Sequence, residues 1–559
     1  MNMEFTSAQR SLIESESGGF FEACPGAGKT QTIVERFVQR GDSENSQRGV
    51  ALITFTNAAA EEAQRRCAHE PELLRAPNFV GTIDSFIIRF FAAPFYKAKF
   101  RRSPTFWESW SSLDIATVQD FKGRPISLDE FRFFRGGAEL SQQARRGRSP
   151  QEYKSLEQRA FQKLKSLLNA GHLDSGTARL MAEVEIEKHT YGIGDLVAAR
   201  FEEIIVDEVQ DCNSSDLLIL NTLQDAGIRL ITVGDIDQSI YEFRGTLVSD
   251  VRDFVDSRNR QSRININFRS SPAICKVVDS LREGSGADIA GGVASSCEAP
   301  VHLVGYGKIS DIGPSVKSVM SHYQELSQPV FLAHKGDDAA LAAGGRAKGR
   351  LSSSKVVILA RSCNQLLNPS STSAKRTRAL TDIGLSLQRL HPDRVLAEAS
   401  EEQYLAHLGL TKGAYRELCL RFAVAAGNPA GLLPSAYREK IVTAADRLEI
   451  DLNRKSLRTP ASNVWIWDEA PPAEYQFEHS NIHQFKGMET DSVTLIIPHG
   501  WKTRKTLQEW REGIGSEARR VLYVGVSRAK RLLILAVHNE HLGEVKEILE
   551  RDNVPLALS

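Results

Sequence analysis

The feature that most constrains the fold of this chain is a run of small residues, Ala23-Cys24-Pro25-Gly26-Ala27-Gly28-Lys29-Thr30. An apolar strand candidate, Gly19–Ala23, precedes the run, and a helical pattern, Gln31–Gln39, follows it. A strand, a small-residue loop and a helix in this order form a P-loop, because backbone N–H groups converge on phosphate oxygens where the helix begins. We therefore expect a parallel sheet flanked by helices.

A second segment supplies acidic side chains. Ile204-Ile205-Val206-Asp207-Glu208 is an apolar strand candidate that ends in two carboxylates. Ligands of parallel sheets bind beyond the carboxyl ends of the strands, so these acids are expected to face the P-loop. Lys29 would reach the β- and γ-phosphates of ATP, while Thr30 and Asp207 would bind Mg²⁺. Glu208 would orient and deprotonate the attacking water.

Strand and helix patterns divide the chain into two α/β regions, each interrupted by a mainly helical insertion. Residues 1–91 and 196–247 form the first α/β region, around the helical insertion 92–195, which lacks a strong strand signal. Residues 248–366 and 465–559 form the second region, around the reduced helical insertion 367–464. Further strand candidates are Val50–Phe55, Asn78–Thr82, Glu203–Val206, Arg229–Val233, Pro300–Val304, Val356–Ala360, Val493–Ile497 and Leu532–Val537, and Gly284–Cys297 is expected to be a loop.

Composition limits the partners and the compartment. The 70 basic residues (Lys and Arg) equal the 70 acidic residues in number. Any nucleic-acid surface must therefore be local rather than a product of net charge. No apolar run approaches the roughly 18 residues that cross a bilayer, and the first residues lack the pattern of a secretory signal. The seven cysteines form no C-x-x-C pair. We expect a cytoplasmic protein with reduced thiols and no membrane partner.

Seven motifs along the chain resemble, in order, those of the UvrD/Rep/PcrA family of superfamily 1A helicases. The most family-specific match is Gly234–Gly245, which resembles motif III. The others are Phe5–Gln9 (Q motif), Ile53–Asn57 (motif Ia), Gly81–Phe86 (motif Ib), Asn267–Ser270 (motif IV), His483–Glu489 (motif V) and Tyr523–Ala529 (motif VI).

The resemblance implies two RecA-like P-loop domains, called 1A and 2A, with insertions 1B and 2B and with ATP bound between 1A and 2A. By position, Gln9 would contact adenine and Gln238 would sense the γ-phosphate. Arg269 and Arg528 would reach the γ-phosphate from the second domain, and Glu489 would approach the ribose. An arginine from a second domain couples charge neutralisation to domain closure.

The family's adenine pocket differs in part from the residues of this chain. The P-loop residues Ala23, Cys24, Pro25, Gly26, Ala27, Gly28, Lys29 and Thr30 are expected to hold the phosphates. Gln31 stands where the family has Arg, and Phe268 stands where it has the Tyr that stacks on adenine. Both are assigned to the nucleotide site, but selectivity for adenine stays open.

The same motifs imply a track for single-stranded DNA, which motor proteins hold by stacking bases on aromatic rings and by contacting the backbone. Phe86–Arg102, rich in aromatic and basic residues, is a candidate extension of this track. The positions that match the family's track are Phe55, Thr56, Asn57, Thr82, Ser85, Tyr241, Phe243, Arg244 and His483.

Three functions are compatible with these motifs. The first is an ATP-dependent DNA helicase or translocase acting on single-stranded or tailed duplex DNA, for which the resemblance implies 3′→5′ movement. The second is a nucleotide- and DNA-sensing regulatory subunit that licenses a separate nuclease, because compact chains of this kind resemble the helicase subunit of Gabija anti-phage systems. The third, an unrelated P-loop ATPase or nucleotide kinase, leaves the segment Gln238–Arg244 and the late arginines unexplained.

Overall fold

The computed structural model divides the chain into two compact units. The larger unit consists of Met1–Gly307, Ser318–His334 and Ile482–Ser559, and the smaller unit consists of Lys308–Lys317 and Lys335–Asn481. The candidate site residues that the structure describes all belong to the larger unit. The structure describes residues 4–41, 47–107, 109–113, 115–121, 123, 125–240, 247–261, 263–284, 286–345, 354–369, 371, 373–397, 401–460, 465 and 477–559.

Helices and strands alternate along most of the chain. The strands are β1 Gly19–Glu22, β2 Gly49–Thr54, β3 Phe79–Thr82, β4 Thr105–Trp107, β5 Thr117–Gln119, β6 Pro125–Ser127, β7 Phe131–Phe134, β8 Gly137–Leu140, β9 His172–Asp174, β10 Phe201–Val206, β11 Arg229–Gly234, β12 Ile266–Asn267, β13 Ile289–Ala290, β14 Val301–Tyr306, β15 Val330–Ala333, β16 His479–Asn481, β17 Thr490–Ile497, β18 Ala529–His538 and β19 Leu556–Leu558. The α-helices are α1 Ser7–Glu14, α2 Lys29–Gly41, α3 Asn57–Arg66, α4 Ile83–Ile87, α5 Ala93–Phe100, α6 Gln142–Arg145, α7 Pro150–Ala170, α8 Ser175–Lys188, α9 Ile193–Arg200, α10 Ser214–Asp225, α11 Val248–Asp256, α12 Pro272–Leu281, α13 Ile312–Met320, α14 Gly336–Ala342, α15 Lys355–Leu367, α16 Ser373–Arg389, α17 Arg394–Ala397, α18 Glu401–Leu408, α19 Lys412–Ala426, α20 Pro434–Arg447, α21 Ile482–Phe485, α22 Trp501–Glu512, α23 Glu517–Val526 and α24 Asn539–Arg551.

The first sheet contains five parallel strands in the order β1-β11-β10-β2-β3. Its strands are runs of apolar residues because helices cover both faces of such a sheet, and every residue of β2 is buried. Val206 of β10 is in register with Thr232 on one side and with Ile53 on the other. The carboxyl ends of these strands therefore meet at one edge, where the P-loop and the two acids lie.

The second sheet lies in the same unit, where β15, β17, β18, β14 and β19 are parallel neighbours in that order. Ile274 of α12, Val524 of α23 and Ile548 of α24 belong to the buried apolar cluster that includes the strand residues Leu495 and Leu535. This cluster fixes α23 against the sheet, and α23 leads directly to Ser527 and Arg528. Strand candidates Pro300–Val304, Val493–Ile497 and Leu532–Val537 are confirmed.

The insertion at residues 92–195 contains more strand than we expected. Three two-stranded ladders, β4-β9, β5-β6 and β7-β8, accompany the helices α7 and α8. Leu156 and Leu164 of α7 belong to one buried cluster with Ile126 of β6 and Leu140 of β8. Each strand is only three or four residues long. Such short strands are missed because a strand pattern needs alternation over about four to eight residues.

The strand candidate Val356–Ala360 is wrong, because these residues belong to the helix α15. The buried positions Val356, Val357, Leu359, Ala360, Cys363 and Leu366 follow helical spacing and join the apolar core of the smaller unit. A short apolar run does not distinguish a buried strand from a buried helix. Our assignment of 248–366 to the second α/β region is corrected accordingly, because the smaller unit includes Lys335–Asn481.

A buried ion pair holds the P-loop helix α2 to β10. Arg36 donates from Nε and Nη2 to the two carboxylate oxygens of Glu203, each at 2.7 Å, and both side chains are fully buried. Arg36 also donates to the carbonyl oxygens of Leu12, Ile13 and Ser15. The pair thus joins α1, α2 and the first sheet at one point.

We expect Glu203→Gln to lower the free energy of unfolding by about 3–5 kcal/mol, because it leaves the buried guanidinium of Arg36 without a carboxylate. Urea denaturation followed by circular dichroism would measure the change. The matched control is Glu16→Gln, which removes an exposed partner of Arg40 and is expected to leave the unfolding midpoint unchanged. Equal midpoints for the Glu203 variant and the wild type would contradict this account of the pair.

Candidate functional site

The loop Ala23–Gly28 connects β1 to α2, whose first residues are Lys29 and Thr30, as the strand–loop–helix pattern predicted. Gly26 and Gly28 adopt the left-handed region, with φ of 72° and 73°. A Cβ atom at Gly26 would lie 2.4 Å from Cβ of Arg269 and 2.5 Å from Oδ1 of Asn267. Glycine is therefore required at this position both by backbone conformation and by the close approach of the motif IV segment.

Backbone hydrogen bonds join the same loop to the segment that contains motif IV. The N–H of Cys24 donates to the carbonyl of Ile264 at 2.9 Å, and the N–H of Phe268 donates to the carbonyl of Gly26 at 2.9 Å. Burial raises the pKa of the Cys24 thiol, so this cysteine is a small packing residue rather than a nucleophile. Ala23, Pro25 and Ala27 are buried as well.

Gln9 reaches the P-loop from α1. Thr6 caps this helix, and the Gln9 side chain completes a capping box by accepting from the N–H of Thr6 at 2.9 Å. The Gln9 amide nitrogen donates to the carbonyl of Ala27 at 3.0 Å. The structure thus places Gln9 against the phosphate loop, while its contact with adenine stays a prediction.

The acids Asp207 and Glu208 follow β10 at the same edge of the sheet. The N–H of Asp207 donates to the carbonyl of Ile53 at 2.9 Å. Glu208 has φ of 52°, a left-handed conformation that costs free energy in a residue with a side chain and that clusters at functional sites. Its Oε1 lies 3.7 Å from Nζ of Lys29, and the amide of Gln210 donates to its Oε2.

The two neighbouring acids differ in charge state. Burial and the negative charge of Glu208 raise the pKa of Asp207. Burial would also raise the pKa of Glu208, but the positive charges of Lys29 and Lys486 outweigh it and lower that pKa. Burial lowers the pKa of Lys29, yet the carboxylates of Glu208 and Asp235 outweigh it and leave that pKa raised. These opposite shifts favour the charged form of Glu208 over that of Asp207.

Thr30 and Asp207 are suitable ligands for a magnesium ion. A hydroxyl and a carboxylate are the hard oxygen donors that Mg²⁺ prefers, usually together with waters and substrate phosphates. A divalent cation beside Asp207 would offset the burial that raises the pKa of this carboxyl group. The residues thus fit the predicted ion.

Arg528 is buried at the start of the second sheet. Its Nη2 donates to Oε1 of Gln238 at 3.1 Å and to Oγ of Ser527 at 2.8 Å. Among the described residues no carboxylate oxygen lies within 4 Å of this guanidinium. Burial and the nearby charge of Arg269 lower the pKa of Arg528 to about 9. A buried arginine without a carboxylate partner is well placed to receive an anion.

Arg269 lies between the P-loop and the motif V and VI segments. Its Nε donates to Oε2 of Glu489 at 2.6 Å, and its Nη1 donates to the carbonyl of Ser527 at 3.1 Å. Glu489 also pairs with Lys530 at 2.8 Å. Burial would raise the pKa of Glu489, but the hydrogen bond from Lys530 and the charge of Arg269 lower it. The structure therefore brings Arg269 and Glu489 together, while the contact of Glu489 with ribose stays a prediction.

Sequence reasoning assigned no role to several polar residues that complete this site. Lys486 donates to both carboxylate oxygens of Asp211, at 2.7 and 2.8 Å, and to the carbonyl of Gln238 at 3.0 Å. Asp235 accepts at Oδ2 from the amide of Gln238 at 2.7 Å and from the hydroxyl of Tyr523 at 2.8 Å. The four residues without a predicted role lie inside or next to the quoted motifs, and this position was the available signal: Asp211, Asp235, Lys486 and Tyr523.

The candidate DNA residues of motifs Ia and Ib lie side by side. Thr54 of β2 is in register with Thr82 of β3, so the segments after the two strands are neighbours. Thr56 caps α3 and Thr82 caps α4, where its hydroxyl accepts from the N–H of Ser85 at 3.2 Å. Phe55 is partly buried against the core of the first sheet, and Asn57 is exposed.

The remaining described candidates for contact with DNA or adenine lie on different elements of the fold. His483 lies on α21, with its ring 5.6 Å from that of His334. Phe268 is 40% exposed, and Gln31 is partly exposed on α2. Tyr241, Phe243 and Arg244 lie outside the described residues. The extension Phe86–Arg102 is not supported by the structure. Four of its six aromatic residues are buried in the core and the other two are partly buried against it: Phe86, Phe91, Phe95 and Tyr96, then Phe90 and Phe100.

Comparisons with known proteins give the same family as the motifs. The UvrD/REP helicase N-terminal domain matches residues 5–257, and the UvrD-like helicase C-terminal domain matches residues 468–540. Together the two matches cover more than half of the chain. Within the described residues, no helix has the length and apolarity needed to cross a bilayer.

Several proteins are similar over different lengths. DNA helicase II of Escherichia coli is 27% identical over 273 residues, which are 46% of this chain and 37% of that protein. ATP-dependent DNA helicase UvrD2 of Mycobacterium tuberculosis is 24% identical over 571 residues, 91% of this chain and 75% of that protein. Gabija protein GajB of Bacillus cereus is 22% identical over 265 residues, 47% of this chain and 46% of that protein.

Among solved structures, an arterivirus nonstructural protein 10 helicase covers 95% of this chain and 61% of its own at 11% identity, with a TM-score of only 0.31. The expected α/β fold with two RecA-like domains is confirmed by the domain matches. Since the amino-terminal match spans the first sheet and the carboxyl-terminal match spans the strands next to Glu489 and Arg528, the chain belongs to the UvrD-like helicase family.

Proposed function

We propose that this chain is an ATP-dependent DNA helicase or translocase that moves along single-stranded DNA. The observation that carries the proposal is the convergence of charged groups from both α/β regions. Lys29 and Glu208 come from the first sheet, and Arg269 lies against Gly26 of the phosphate loop. Arg528 is linked to the same site through Gln238 and is among the charges that act on Glu208.

The proposed reaction is hydrolysis of the bond between the β- and γ-phosphates of ATP. Lys29 and the loop N–H groups would hold the phosphates, and Thr30 and Asp207 would hold Mg²⁺, which neutralises phosphate charge when bound. Glu208 would accept a proton from the attacking water. The guanidinium groups of Arg269 and Arg528 would neutralise the charge on the transferred phosphoryl group.

ATP hydrolysis would be coupled to DNA movement through opening and closing of the same two α/β regions. Loss of the γ-phosphate removes the anion between the P-loop and the arginines, which favours opening of the two regions. Phe55, Thr56, Asn57, Thr82 and Ser85 would hold the single strand on the first region. His483 would hold it on the second, and the family resemblance implies movement in the 3′→5′ direction.

We expect single-stranded DNA to stimulate ATP turnover by at least about tenfold, because the strand would stabilise the closed arrangement in which Arg528 reaches the phosphate. Steady-state phosphate release with and without a dT oligonucleotide measures this, and duplexes with 3′ or 5′ tails test polarity. Unchanged turnover in a preparation that binds ATP would contradict a DNA motor. Unwinding of only the 5′-tailed duplex would contradict the proposed direction.

A second candidate function is supported by the similarity to GajB, which covers 47% of this chain. In that case the chain would sense nucleotide and DNA and would license a separate nuclease in anti-phage defence, with little unwinding of its own. Co-purification of a nuclease with the tagged chain from its native host, together with weak unwinding, would favour this function. A partner-free chain that unwinds tailed duplexes efficiently would favour the helicase.

A further inference from the structure

A group of metal-binding side chains lies at the carboxyl edge of the second sheet. His499 follows β17 by two residues, His538 ends β18, and Glu540 lies in the first turn of α24. The two strands are parallel neighbours, with Ile497 in register with Val537. The sheet therefore fixes the two histidines next to each other.

The distances within this group are short. Nε2 of His499 lies 2.9 Å from Oε2 of Glu540, and the rings of His499 and His538 are 4.6 Å apart between centroids. One ligand atom from each of the three side chains lies within 4.8 Å of the others. The side chains of His499 and Glu540 are both 55% exposed, so an ion from solvent has direct access.

We propose that His499, His538 and Glu540 form a binding site for a divalent transition-metal ion, with Zn²⁺ as the best match. Two imidazoles and one carboxylate form a donor set that zinc uses, with a solvent molecule as the fourth ligand. Magnesium and calcium prefer oxygen donors, so they fit this group poorly. At zinc–ligand distances of about 2.0–2.2 Å the ligand atoms stand roughly 3.3 Å apart, which small rotations of exposed side chains would achieve.

Neighbouring groups orient the histidines. The ring of Tyr306 packs edge-on against that of His538, at 5.5 Å between centroids. The hydroxyl of Tyr306 donates to the carbonyl of Ile497 at 3.2 Å, which links this ring to the end of β17. Packing of this kind restricts the orientation of the His538 ring, which favours its use as a metal ligand.

A third histidine distinguishes this group from an ordinary surface pair. His541 is buried and stacks on His499 at 6.1 Å between centroids, and its Nε2 has no hydrogen-bond partner in the described part of the chain. An imidazole packed on the His499 ring limits the orientations that this ligand can adopt.

The proposed metal site is separate from the nucleotide site. Arg528 immediately precedes β18, whereas His538 is the last residue of that strand. Nine residue steps of about 3.3 Å place the two ends roughly 30 Å apart. A bound ion would join the end of β17 to the beginning of α24 and would stabilise the second sheet without taking part in ATP hydrolysis.

Isothermal titration of the chelator-treated full chain with ZnCl₂, in buffer that contains Mg²⁺, tests the proposal. We expect one equivalent to bind, and His499→Ala or His538→Ala to weaken this affinity by about 100-fold or more. Saturating Zn²⁺ should raise the Tm of the wild type by roughly 2–4 °C and leave that of His499→Ala unchanged. Equal Tm values of wild type and variant in chelator would show that the variant is folded.

The matched control is His69→Ala, which removes the histidine of an exposed His–Glu pair, His69–Glu70, with a 3.2 Å contact. This variant is expected to bind Zn²⁺ like the wild type. Co²⁺ provides a second readout, because nitrogen and oxygen ligands give visible absorption bands whereas thiolate ligands add a near-ultraviolet charge-transfer band. Wild-type affinity in both histidine variants, or a thiolate band that persists in them, would overturn the proposal.

Discussion

Glu208→Gln is expected to reduce DNA-stimulated ATP turnover by about 10²–10⁴-fold while ATP binding is retained. The ionised Glu208 carboxylate, held below its ordinary pKa by Lys29 and Lys486, is the group that would accept the proton of water. An amide keeps the size of the side chain but accepts no proton. Steady-state phosphate release measures turnover, and titration with a fluorescent ATP analogue measures binding.

The matched control for this substitution is Glu14→Gln, which changes the exposed last residue of α1. This control should hydrolyse ATP like the wild type. If Glu208→Gln also hydrolyses ATP normally, Glu208 is not the base and the assignment of the water-activating group is wrong.

Arg528→Ala is expected to reduce turnover by about 10³-fold or more, with a much smaller effect on ATP affinity. Arg528 is buried, has no carboxylate within 4 Å among the described residues and reaches the first region through Gln238. Its charge would be used mainly when negative charge develops on the transferred phosphoryl group, so kcat should fall more than affinity. Arg528→Lys should restore little, since lysine lacks the planar fork of donors.

Arg531→Ala provides the control for the Arg528 variants, because it removes a partly exposed arginine from β18, the strand that begins directly after Arg528. Its turnover should match that of the wild type. If Arg528→Ala retained full kcat but lost ATP affinity, Arg528 would be a binding residue only. The proposed coupling between the two regions would then lack the arginine on which it mainly depends.

The phosphate loop and the acidic strand were predictable from local sequence. The loop is recognised from small residues between a strand and a helix, and the acidic strand is recognised from an apolar run before Asp207. Both patterns extend over fewer than ten residues. Their positions at one edge of the first sheet follow because all five strands are parallel. The five strands of this sheet and three of the six strands of the second sheet, β14, β17 and β18, were found for the same reason.

Other parts of the fold could not be derived from local spacing. The run Val356–Ala360 is apolar enough for a strand, and only the buried positions that continue to Leu366 reveal the helix α15. In the first insertion, β4–β9 are each only three or four residues long. The pairing of such short strands depends on tertiary contacts such as those with Leu156 of α7.

The polar links within the site depend on contacts between distant segments. Lys486 and Asp211 are 275 residues apart in the chain, and Tyr523 and Asp235 are 288 residues apart. Motif resemblance placed each segment near the nucleotide, but no spacing rule pairs these side chains. The absence of a carboxylate beside Arg528 within the described residues is likewise a property of the packed structure.

A crystal structure of the full chain with ADP, aluminium fluoride, Mg²⁺ and a dT oligonucleotide would test the central claim most directly. We expect Nζ of Lys29 and the guanidinium groups of Arg269 and Arg528 to lie within about 3 Å of phosphate or fluoride atoms of the same nucleotide. The Glu208 carboxylate should face the attacking water. If Lys29 holds the nucleotide but either guanidinium lies more than about 6 Å from its phosphate or fluoride atoms, the ATPase site is not formed by both α/β regions and the central claim is contradicted.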